Sequence, residues 1–343
     1  MNKKSEVRKL YWNKDEGKLK IKEHYRNGKL DGLKTTWYES GKKKYEFHFK
    51  NGKLDGRCTS WYESGQKEYE EPHKNGKPNG LKTTWYESGK KDSEVHFKNG
   101  KLDGRFTVWY ESGKKYIEAH YKNGELDGLT TTWHESGKKK SEVHFKNGKE
   151  DGLTTTWYES GKKKSARPYK NGKEDGLYTK WYKSGEKYFE FYFKNGKQEG
   201  SFTSWYKSGE KKSEGHAKKD KFEGPSIEWY KSGERKRLSH YRNDKEDGPI
   251  TIYYKSGEKK VEGHAKKGKK EGPFIEWYKS GERKSKGRYK NGTVEGLVNF
   301  WYRTGQKKSI KHFKNGFENG LRTEWDKDGK ITFQGNFVDG NEE

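Results

Sequence analysis

A five-residue stretch, Trp37-Tyr38-Glu39-Ser40-Gly41, returns every 24 residues without a break in phase, and this feature constrains the fold most. Thirteen copies begin at positions 37 to 325, and twelve of them start with Trp; Tyr253 is the exception. A strict period of roughly 20–50 residues is typical of architectures that stack one supersecondary unit on the next. The sequence therefore predicts one long repeat array instead of several globular domains.

Each 24-residue unit contains two glycine turns and two short runs. One turn resembles Asn51-Gly52 and the other Ser40-Gly41, and such residues supply the positive φ that tight hairpins need. Runs such as 141–145 and 153–158 are rich in β-branched and aromatic residues and alternate with period two, which indicates strands. The sequence therefore predicts an all-β fold, a single elongated antiparallel ribbon of about fourteen hairpins, of the kind that curls into a groove.

The repeat phase also sets the predicted domain limits. Residues 1–13 are a lead-in, residues 14–340 form one continuous repeat domain, and residues 341–343 are a short tail. A third landmark is an acidic-Gly pair such as Asp55-Gly56, which follows most of the Asn-Gly turns.

Repeats within about 213–285 form a subtype. Gly-Pro begins the second run there, and Gly215-His216-Ala217 recurs at Gly263-His264-Ala265. Proline removes a ladder hydrogen-bond donor, and alanine replaces a large aromatic residue. We therefore expect this segment to be thinner or kinked.

The length of the Ser-Gly turn determines which face each side chain occupies. A three-residue turn with Gly in the left-handed conformation places Trp37 opposite Lys43 and on one face with Tyr45 and Phe47. A turn of two or four residues reverses the parity and places Trp37 beside Glu46. We predict the first register, because it gathers the apolar groups on one face.

Composition alone suggests disorder, since 38% of residues are charged and only 26% are hydrophobic. The 13 Trp, 24 Tyr and 16 Phe residues argue against disorder, because they recur in phase. The net charge of +26 favours anionic partners, although lysine in turns also protects sheet edges. Cys58 is the single cysteine, so no internal disulfide is expected. No signal peptide or long apolar run is seen, and we expect a cytoplasmic protein.

Nine of the eleven histidines share one phase, including His24, His48 and His96. Neighbours in such a column lie about 10 Å apart in a sheet, too far to share one zinc ion. Glu-His pairs such as Glu142 and His144 recur along the chain, whereas a catalytic pair is normally single and lies in a cleft. We therefore predict no enzyme activity, no metal site and no cofactor.

Two copies show a family resemblance: Tyr121-Lys122-Asn123-Gly124 with the following Asp127-Gly128, and Trp157-Tyr158-Glu159-Ser160-Gly161. The pattern resembles the MORN repeat variant of bacterial YwqK-family antitoxin-component proteins, and the resemblance covers residues 14–340. It implies a ribbon of consecutive β-hairpins used for binding or scaffolding. It also implies lipid headgroup binding, proposed for related MORN repeats, and an antitoxin role, but no residue-level motif for either.

We predict a non-enzymatic repeat scaffold that binds another protein, in an antitoxin-like or scaffolding role. Alternatives are binding of polyanions, either anionic lipid headgroups or nucleic acid, and binding of carbohydrate as a cell-wall module. The oligomeric state is open, with end-to-end association of terminal strands as one option. The candidate binding residues form the aromatic row Trp37, Trp61, Trp85, Trp109, Trp133, Trp157, Trp181 and Trp205.

Charge changes along the array at the residue after the aromatic pair. The first six copies carry Glu there, as at Glu39, and the next six carry Lys or Arg, as at Lys183. This pattern predicts a charge gradient along the ribbon, and we expect the change of sign to matter for partner binding.

Overall fold

The computed structural model describes residues 4–343, and every regular element within them is a β-strand. The 39 strands are connected as an antiparallel meander in which strands pair with their neighbours along the chain. The predicted all-β hairpin array is confirmed. The chain divides into two compact units, Met1–Lys173 and Glu174–Glu343, and each is described by itself.

The first unit begins with the lead-in, which supplies a strand; residues 1–3 of the predicted lead-in lie outside the described part. The strands of this unit are β1 Ser5–Asn13, β2 Lys18–Arg26, β3 Lys29–Leu30, β4 Gly32–Trp37, β5 Lys43–Lys50, β6 Lys53–Trp61, β7 Lys67–Lys74, β8 Lys77–Pro78, β9 Gly80–Trp85, β10 Lys91–Lys98, β11 Lys101–Trp109, β12 Lys115–Lys122, β13 Glu125–Leu126, β14 Gly128–Trp133, β15 Lys139–Lys146, β16 Lys149–Glu150, β17 Gly152–Trp157 and β18 Lys163–Lys170. The next strand along the chain is β19, Lys173–Glu174.

The second unit repeats the same alternation of strands. Its strands are β20 Gly176–Trp181, β21 Lys187–Lys194, β22 Lys197–Trp205, β23 Lys211–Lys218, β24 Lys221–Phe222, β25 Gly224–Trp229, β26 Arg235–Arg242, β27 Lys245–Glu246, β28 Gly248–Tyr253, β29 Lys259–Lys266, β30 Lys269–Lys270, β31 Gly272–Trp277, β32 Arg283–Lys290, β33 Thr293–Val294, β34 Gly296–Trp301, β35 Lys307–Lys314, β36 Phe317–Glu318, β37 Gly320–Trp325, β38 Ile331–Val338 and β39 Asn341–Glu342. In most repeats the acidic residue before glycine divides the second run into a two-residue strand and a six-residue strand.

The Asn-Gly turns have the backbone that their residues favour. Asn51 and Gly52 have φ values of 49° and 79°, so both central residues are left-handed, as a two-residue hairpin turn requires. Lys219 and Asp220 take the same positions with φ values of 52° and 68°. The turn geometry is therefore kept where the sequence lacks both Asn and Gly.

The predicted three-residue turn is confirmed, but the predicted face of Trp37 is wrong. Trp37 lies opposite Lys43, whereas the preceding residue lies opposite Tyr45, so Lys44 has no partner in the ladder. One extra residue in a strand is a β-bulge, and it reverses the face on which the following side chains lie. Trp37 therefore shares a face with Glu46 and not with Tyr45.

The bulge recurs in the equivalent hairpins of both units and divides the repeat into two faces. Residues that recur at steps of 24 form columns, each named here after one member. The face that we call the Trp face carries the columns of Leu33, Thr35, Trp37, Lys43, Glu46, His48, Lys50 and Lys53. The face that we call the Tyr face carries the columns of Lys34, Thr36, Tyr38, Lys44, Tyr45, Phe47, Phe49 and Leu54.

The acidic-Gly pair links one hairpin to the next. The carboxylate of Asp55 accepts a hydrogen bond from the backbone N–H of Asn75 at 3.1 Å, in the following Asn-Gly turn. Gly56 has a φ of 121°, and a Cβ there would lie 2.9 Å from the Cβ of His48. Both the backbone conformation and the close histidine therefore require glycine at this position.

The same link recurs along each unit. In the first unit the acceptor and donor residues are Asp31 and Asn51, Asp55 and Asn75, Asn79 and Asn99, Asp103 and Asn123, Asp127 and Asn147, and Asp151 and Asn171. In the second unit they are Asp175 and Asn195, Glu199 and Lys219, Glu223 and Asn243, Asp247 and Lys267, Glu271 and Asn291, and Glu295 and Asn315.

Buried side chains lie on both faces of the sheet. The Tyr face buries small and apolar residues such as Cys58 and Val298, and burial raises the pKa of the Cys58 thiol to about 11. The Trp face buries the threonine column. Its buried members in the first unit are Thr35, Thr59, Thr83, Thr107, Thr131 and Thr155.

The Gly-Pro subtype continues the ladder without interruption, since Pro225 lies opposite His240. Small residues leave space on its Tyr face. Cavities of about 300 Å³ and 290 Å³ lie beside the two Gly-His-Ala segments. Phe202 leans over Gly215, where a Cβ would lie 2.6 Å from the ring. The expected thinning is thus a local loss of side-chain volume.

We expect Asp103→Ala to destabilise the fold by about 1 kcal/mol, because the Asn123 N–H loses its acceptor. Asp103→Asn is the matched control, since Asn79 accepts the same hydrogen bond at 3.1 Å in a neighbouring repeat. Denaturant unfolding of both variants measures the difference. Equal losses of stability in the two variants would contradict the role assigned to the carboxylate oxygen.

Candidate binding surface on the Trp face

Most tryptophans of the predicted aromatic row lie half-buried beneath a lysine of the preceding repeat. The Nζ of Lys43 lies 5.6 Å from the ring centre of Trp61 and 2.6 Å from the carboxylate of Glu46. The lysine thus makes a cation–π contact and an ion pair at the same time. The equivalent hydrogen bond from Lys115 lowers the pKa of Glu118.

This arrangement covers one side of most rings in the predicted aromatic row. The lysine–tryptophan pairs are Lys43 and Trp61, Lys67 and Trp85, Lys91 and Trp109, Lys115 and Trp133, Lys139 and Trp157, and Lys187 and Trp205. Trp37 belongs to the same column, but the residue equivalent to Lys43 is Leu19. Trp181 is half-buried like the others. The row is therefore a lysine-covered column, and its binding role stays a prediction.

A tyrosine ladder joins the repeats at the Ser-Gly end of the sheet. The hydroxyl of Tyr38 donates a hydrogen bond of 2.9 Å to the carbonyl of Trp61 in the next repeat. The same bond joins Tyr62 to Trp85, Tyr86 to Trp109, Tyr110 to Trp133, Tyr182 to Trp205, Tyr206 to Trp229, Tyr230 to Tyr253, Tyr254 to Trp277, Tyr278 to Trp301 and Tyr302 to Trp325.

Two aromatic residues depart from this ladder in informative ways. Trp12 is one residue out of phase in the sequence, yet its Nε1 donates to the carbonyl of Trp37 at 3.2 Å, as the tyrosines do. His134 occupies a tyrosine position, and its buried Nε2 has no hydrogen-bond partner. The lead-in strand therefore replaces a tyrosine contact, and His134 interrupts the ladder.

A row of four leucines and two arginines runs along the Trp face, next to the histidine column. Leu81, Leu129 and Leu153 belong to this row in the first unit, and they are 39%, 38% and 48% exposed. Leu81 lies directly opposite His96. The row also contains Leu33, Arg57 and Arg105. We call these six residues the Leu row.

Two columns of residues, all of them basic except Glu125 in the first unit, lie at the Asn-Gly end of the Trp face, two residues beyond the histidines. We call them the basic rows; in the first unit they contain Arg26, Lys50, Lys74, Lys98, Lys122, Lys146 and Lys170, and opposite them Lys29, Lys53, Lys77, Lys101, Glu125 and Lys149. The direct pairs include Lys50 with Lys53 and Lys98 with Lys101. All of these side chains are exposed.

Within residues 4–343, none of these lysines of the first unit has a carboxylate within ion-pair distance. Arg26 lies 3.6 Å from Asp31. On the Tyr face, in contrast, Lys34 pairs with Glu23 at 2.7 Å and Lys82 with Glu71 at 3.5 Å. The Asn-Gly end of the Trp face therefore carries a run of lysines without a carboxylate partner.

The predicted charge gradient at the Ser-Gly turns is compensated. Where the residue after the aromatic pair changes from Glu to Lys, the residue after the turn glycine changes from Lys to Glu, as in Lys42 and Glu210. A hydrogen bond from Ser208, its own backbone N–H and the nearby Lys231 lower the pKa of Glu210. These turns carry both signs of charge in both units.

The histidine column has a packing role. The Nδ1 of His48 lies 2.8 Å from the carbonyl of Arg57, and its Cβ lies next to Gly56. Among the described residues 4–343, no group of three or more His, Cys, Asp and Glu side chains is placed to hold a metal ion. In the same residues, no helix has the length and apolar character needed to cross a bilayer.

Comparison with family models identifies the repeat. A model described as MORN repeat variant matches nine segments, which together cover more than half of the chain. The chain belongs to the MORN repeat variant family. Its matched segments are 30–51, 54–75, 78–99, 102–123, 126–147, 150–171, 270–291, 294–315 and 318–339. Proteins with MORN repeats are generally non-catalytic.

Solved structures resemble this MORN repeat chain only weakly. The crystal structure of TcdB2-TccC3 has 9% identity and a TM-score of 0.18, covering 94% of this chain and 18% of that chain. The crystal structure of TcdB2-TccC3-Cdc42 has 10% identity and a TM-score of 0.18, covering 98% and 25%. The search of curated proteins finds no match. None of these comparisons supports the finer assignment to the YwqK family.

We expect His134→Tyr to stabilise this MORN array by about 1 kcal/mol, because the hydroxyl gains the carbonyl of Trp157 as an acceptor. The reverse change, Tyr110→His, removes the bond to Trp133 and is expected to destabilise it by a similar amount. Thermal or denaturant unfolding measures the change in stability of each variant. A gain in both variants, or a loss in both, would contradict the role assigned to the tyrosine ladder.

The tyrosine ladder also predicts a loss of stability at alkaline pH. Burial first, and nearby carboxylates second, raise the pKa of the ladder residues Tyr38 and Tyr62 above the ordinary value. Burial also raises the pKa of Tyr69, which lies outside the ladder in the column of Tyr45, to about 12. The unfolded chain, with tyrosine pKa values of about 10, therefore releases these protons first. This stabilisation is complete below about pH 10 and is lost as the pH rises through the folded values.

Denaturant midpoints measured at several pH values between about 9 and 12 check this expectation. The double variant Tyr62→Phe, Tyr86→Phe removes two ladder hydroxyls and is the control. We expect a shallower alkaline decline in this variant than in the unmodified chain. Identical declines would show that other groups, such as lysines, account for the pH dependence.

Proposed function

We propose that this chain is a non-enzymatic repeat scaffold that binds another protein along the Trp face. The observation that carries the proposal is the Leu row, whose Leu81, Leu129 and Leu153 are 38–48% exposed at a fixed 24-residue phase. Apolar side chains that lie in line on an open sheet face are typical of interaction surfaces. A partner that follows the row gains a similar apolar contact from each repeat that carries a leucine at this position.

Other ligand classes find less support on the same face. Stacking of nucleic acid bases or sugar rings needs open aromatic surfaces. The rings of Trp61, Trp85 and Trp109 each lie beneath a lysine that is held by a glutamate. These rings therefore offer less open surface to a base or a sugar ring, which counts against both ligand classes.

Polyanion binding is the second candidate, and the basic rows favour it. Lys50 and Lys53 lie directly opposite each other without a carboxylate partner, and the arrangement recurs in neighbouring repeats. Anionic lipid headgroups or nucleic acid would meet the same positive charge. An antitoxin-like role, in which the bound protein is a toxin, is the narrower form of the first proposal.

A face-specific capture experiment tests protein binding. The full chain is immobilised and exposed to an extract of its source cells, and captured proteins are compared with those of the variant Leu81→Ser, Leu129→Ser, Leu153→Ser. These leucines are exposed, so the substitutions are expected to leave the fold intact while the variant loses its captured protein.

The control variant changes three exposed residues in one column of the Tyr face: Tyr116→Ser, Lys140→Ser and Lys164→Ser. We expect this variant to capture the same protein as the unmodified chain. Equal capture by all three chains, or no capture by any of them, would count against binding through the Leu row.

A further inference from the structure

The basic rows of the first unit place like charges directly opposite each other. Lys50 faces Lys53, Lys74 faces Lys77, and Lys98 faces Lys101, each as the last pair before a two-residue turn. Like charges in directly opposed strand positions destabilise a hairpin. Repulsion between these lysines therefore destabilises this edge of the sheet. At the Ser-Gly end, in contrast, Lys43 and Lys67 each pair with a glutamate.

The acidic residues of the same edge do not remove this cost. Asp55 and Asp103 each accept a hydrogen bond from the backbone N–H of the following turn. In most repeats of the first unit, this edge therefore carries two basic side chains and only one acidic side chain. An anionic group from outside would relieve the repulsion between the lysines.

The Leu row lies beside this charge. Leu81 is opposite His96. Lys98 is two residues beyond His96 in the same strand, about 7 Å from it. On the other side, Trp85 is four residues from Leu81, about 13 Å away. Leucine is shorter than lysine, so Leu81, Leu129 and Leu153 form a floor between two rows of longer side chains, with Arg105 between the first two. That floor is wide enough for a strand or for one helix of about 10–12 Å diameter.

The basic rows and the neighbouring leucines together indicate the chemistry of the partner. We propose that the Trp face of the first unit binds an acidic protein segment that also carries apolar side chains, with carboxylates on the basic rows and apolar groups on the Leu row. This inference rests on the proposed function, because it names the chemical class of the protein partner. Nucleic acid lacks apolar side chains for the leucines, and a flat lipid surface does not reach a floor below the lysines.

Binding of defined probes tests the inference with the full chain. The main probe is a labelled 24-residue peptide of glutamate and leucine, and its comparisons are poly-L-glutamate, a peptide of lysine and leucine, vesicles containing phosphatidylserine, and oligo(dT). We expect the glutamate–leucine peptide to bind most tightly and the lysine–leucine peptide not to bind. Tighter binding of vesicles or of oligo(dT) would overturn the proposal in favour of lipid or nucleic acid.

The decisive variant is K50E/K74E/K98E/K146E, which places a carboxylate opposite Lys53 and its equivalents. We expect it to weaken binding of the glutamate–leucine peptide by about tenfold or more, since four exposed charge contacts are lost. We also expect it to unfold at a higher temperature than the unmodified chain, because repulsive pairs become attractive ones. This combination shows that weaker binding does not come from misfolding.

The matched control is K42E/K90E/K114E/K138E, which changes the net charge equally at the opposite, Ser-Gly end of the sheet. We expect it to keep the affinity of the unmodified chain within about threefold. Equal weakening by both quadruple variants would mean that only net charge matters, and would overturn the proposal.

The Leu81→Ser, Leu129→Ser, Leu153→Ser variant separates this inference from the proposed function. It is expected to bind the glutamate–leucine peptide no better than poly-L-glutamate. If it loses its cellular partner while K50E/K74E/K98E/K146E keeps that partner, the scaffold proposal stands and the acidic partner is wrong. If both variants keep the partner, both proposals fail.

Discussion

The hydrogen bonds that join one hairpin to the next control the rest of this structure. The strands form a single open antiparallel meander, so each repeat depends on its neighbours, as in other linear repeat arrays. At one end of the strands, Asp55 accepts from the N–H of Asn75; at the other end, Tyr38 donates to the carbonyl of Trp61. These contacts span 20 and 23 residues. A single insertion between the partners would break both, which gives a physical reason for the unbroken 24-residue phase.

The hairpins and their turn register could be predicted from the sequence, because they depend on local chemistry. Asn-Gly and Ser-Gly turns and alternating runs are sufficient for both. The face of Trp37 could not be predicted in this way, because the unpaired Lys44 reverses the parity without changing the alternation on either side of it. The run itself contains no residue that marks a bulge. The apolar groups consequently lie on both faces and not on one.

The candidate surface was only partly visible in the sequence. The columns of Trp, Leu and Lys follow from the phase, but their roles depend on contacts between repeats. Lys43 reaches Glu46 within its own strand and Trp61 in the following repeat. The role of Asp55 is equally hidden, because its partner belongs to the next turn. Trp12 is misleading in sequence, since it is out of phase but makes the tyrosine contact.

The lysines that contribute to the net charge of +26 therefore differ in their contacts, and so in their effect on stability and binding. Lys43 is held between a carboxylate and an indole ring, and Lys34 is paired with Glu23 on the Tyr face. Lys50 and Lys53 have neither kind of contact. Each exposed pair contributes little to binding by itself. A repeat array adds such contributions along one extended partner, so affinity grows with the number of repeats engaged, while stability depends only on adjacent hairpins. A long array can thus tolerate repulsive lysine pairs in many of its repeats, provided that the turn and tyrosine hydrogen bonds hold neighbouring hairpins together.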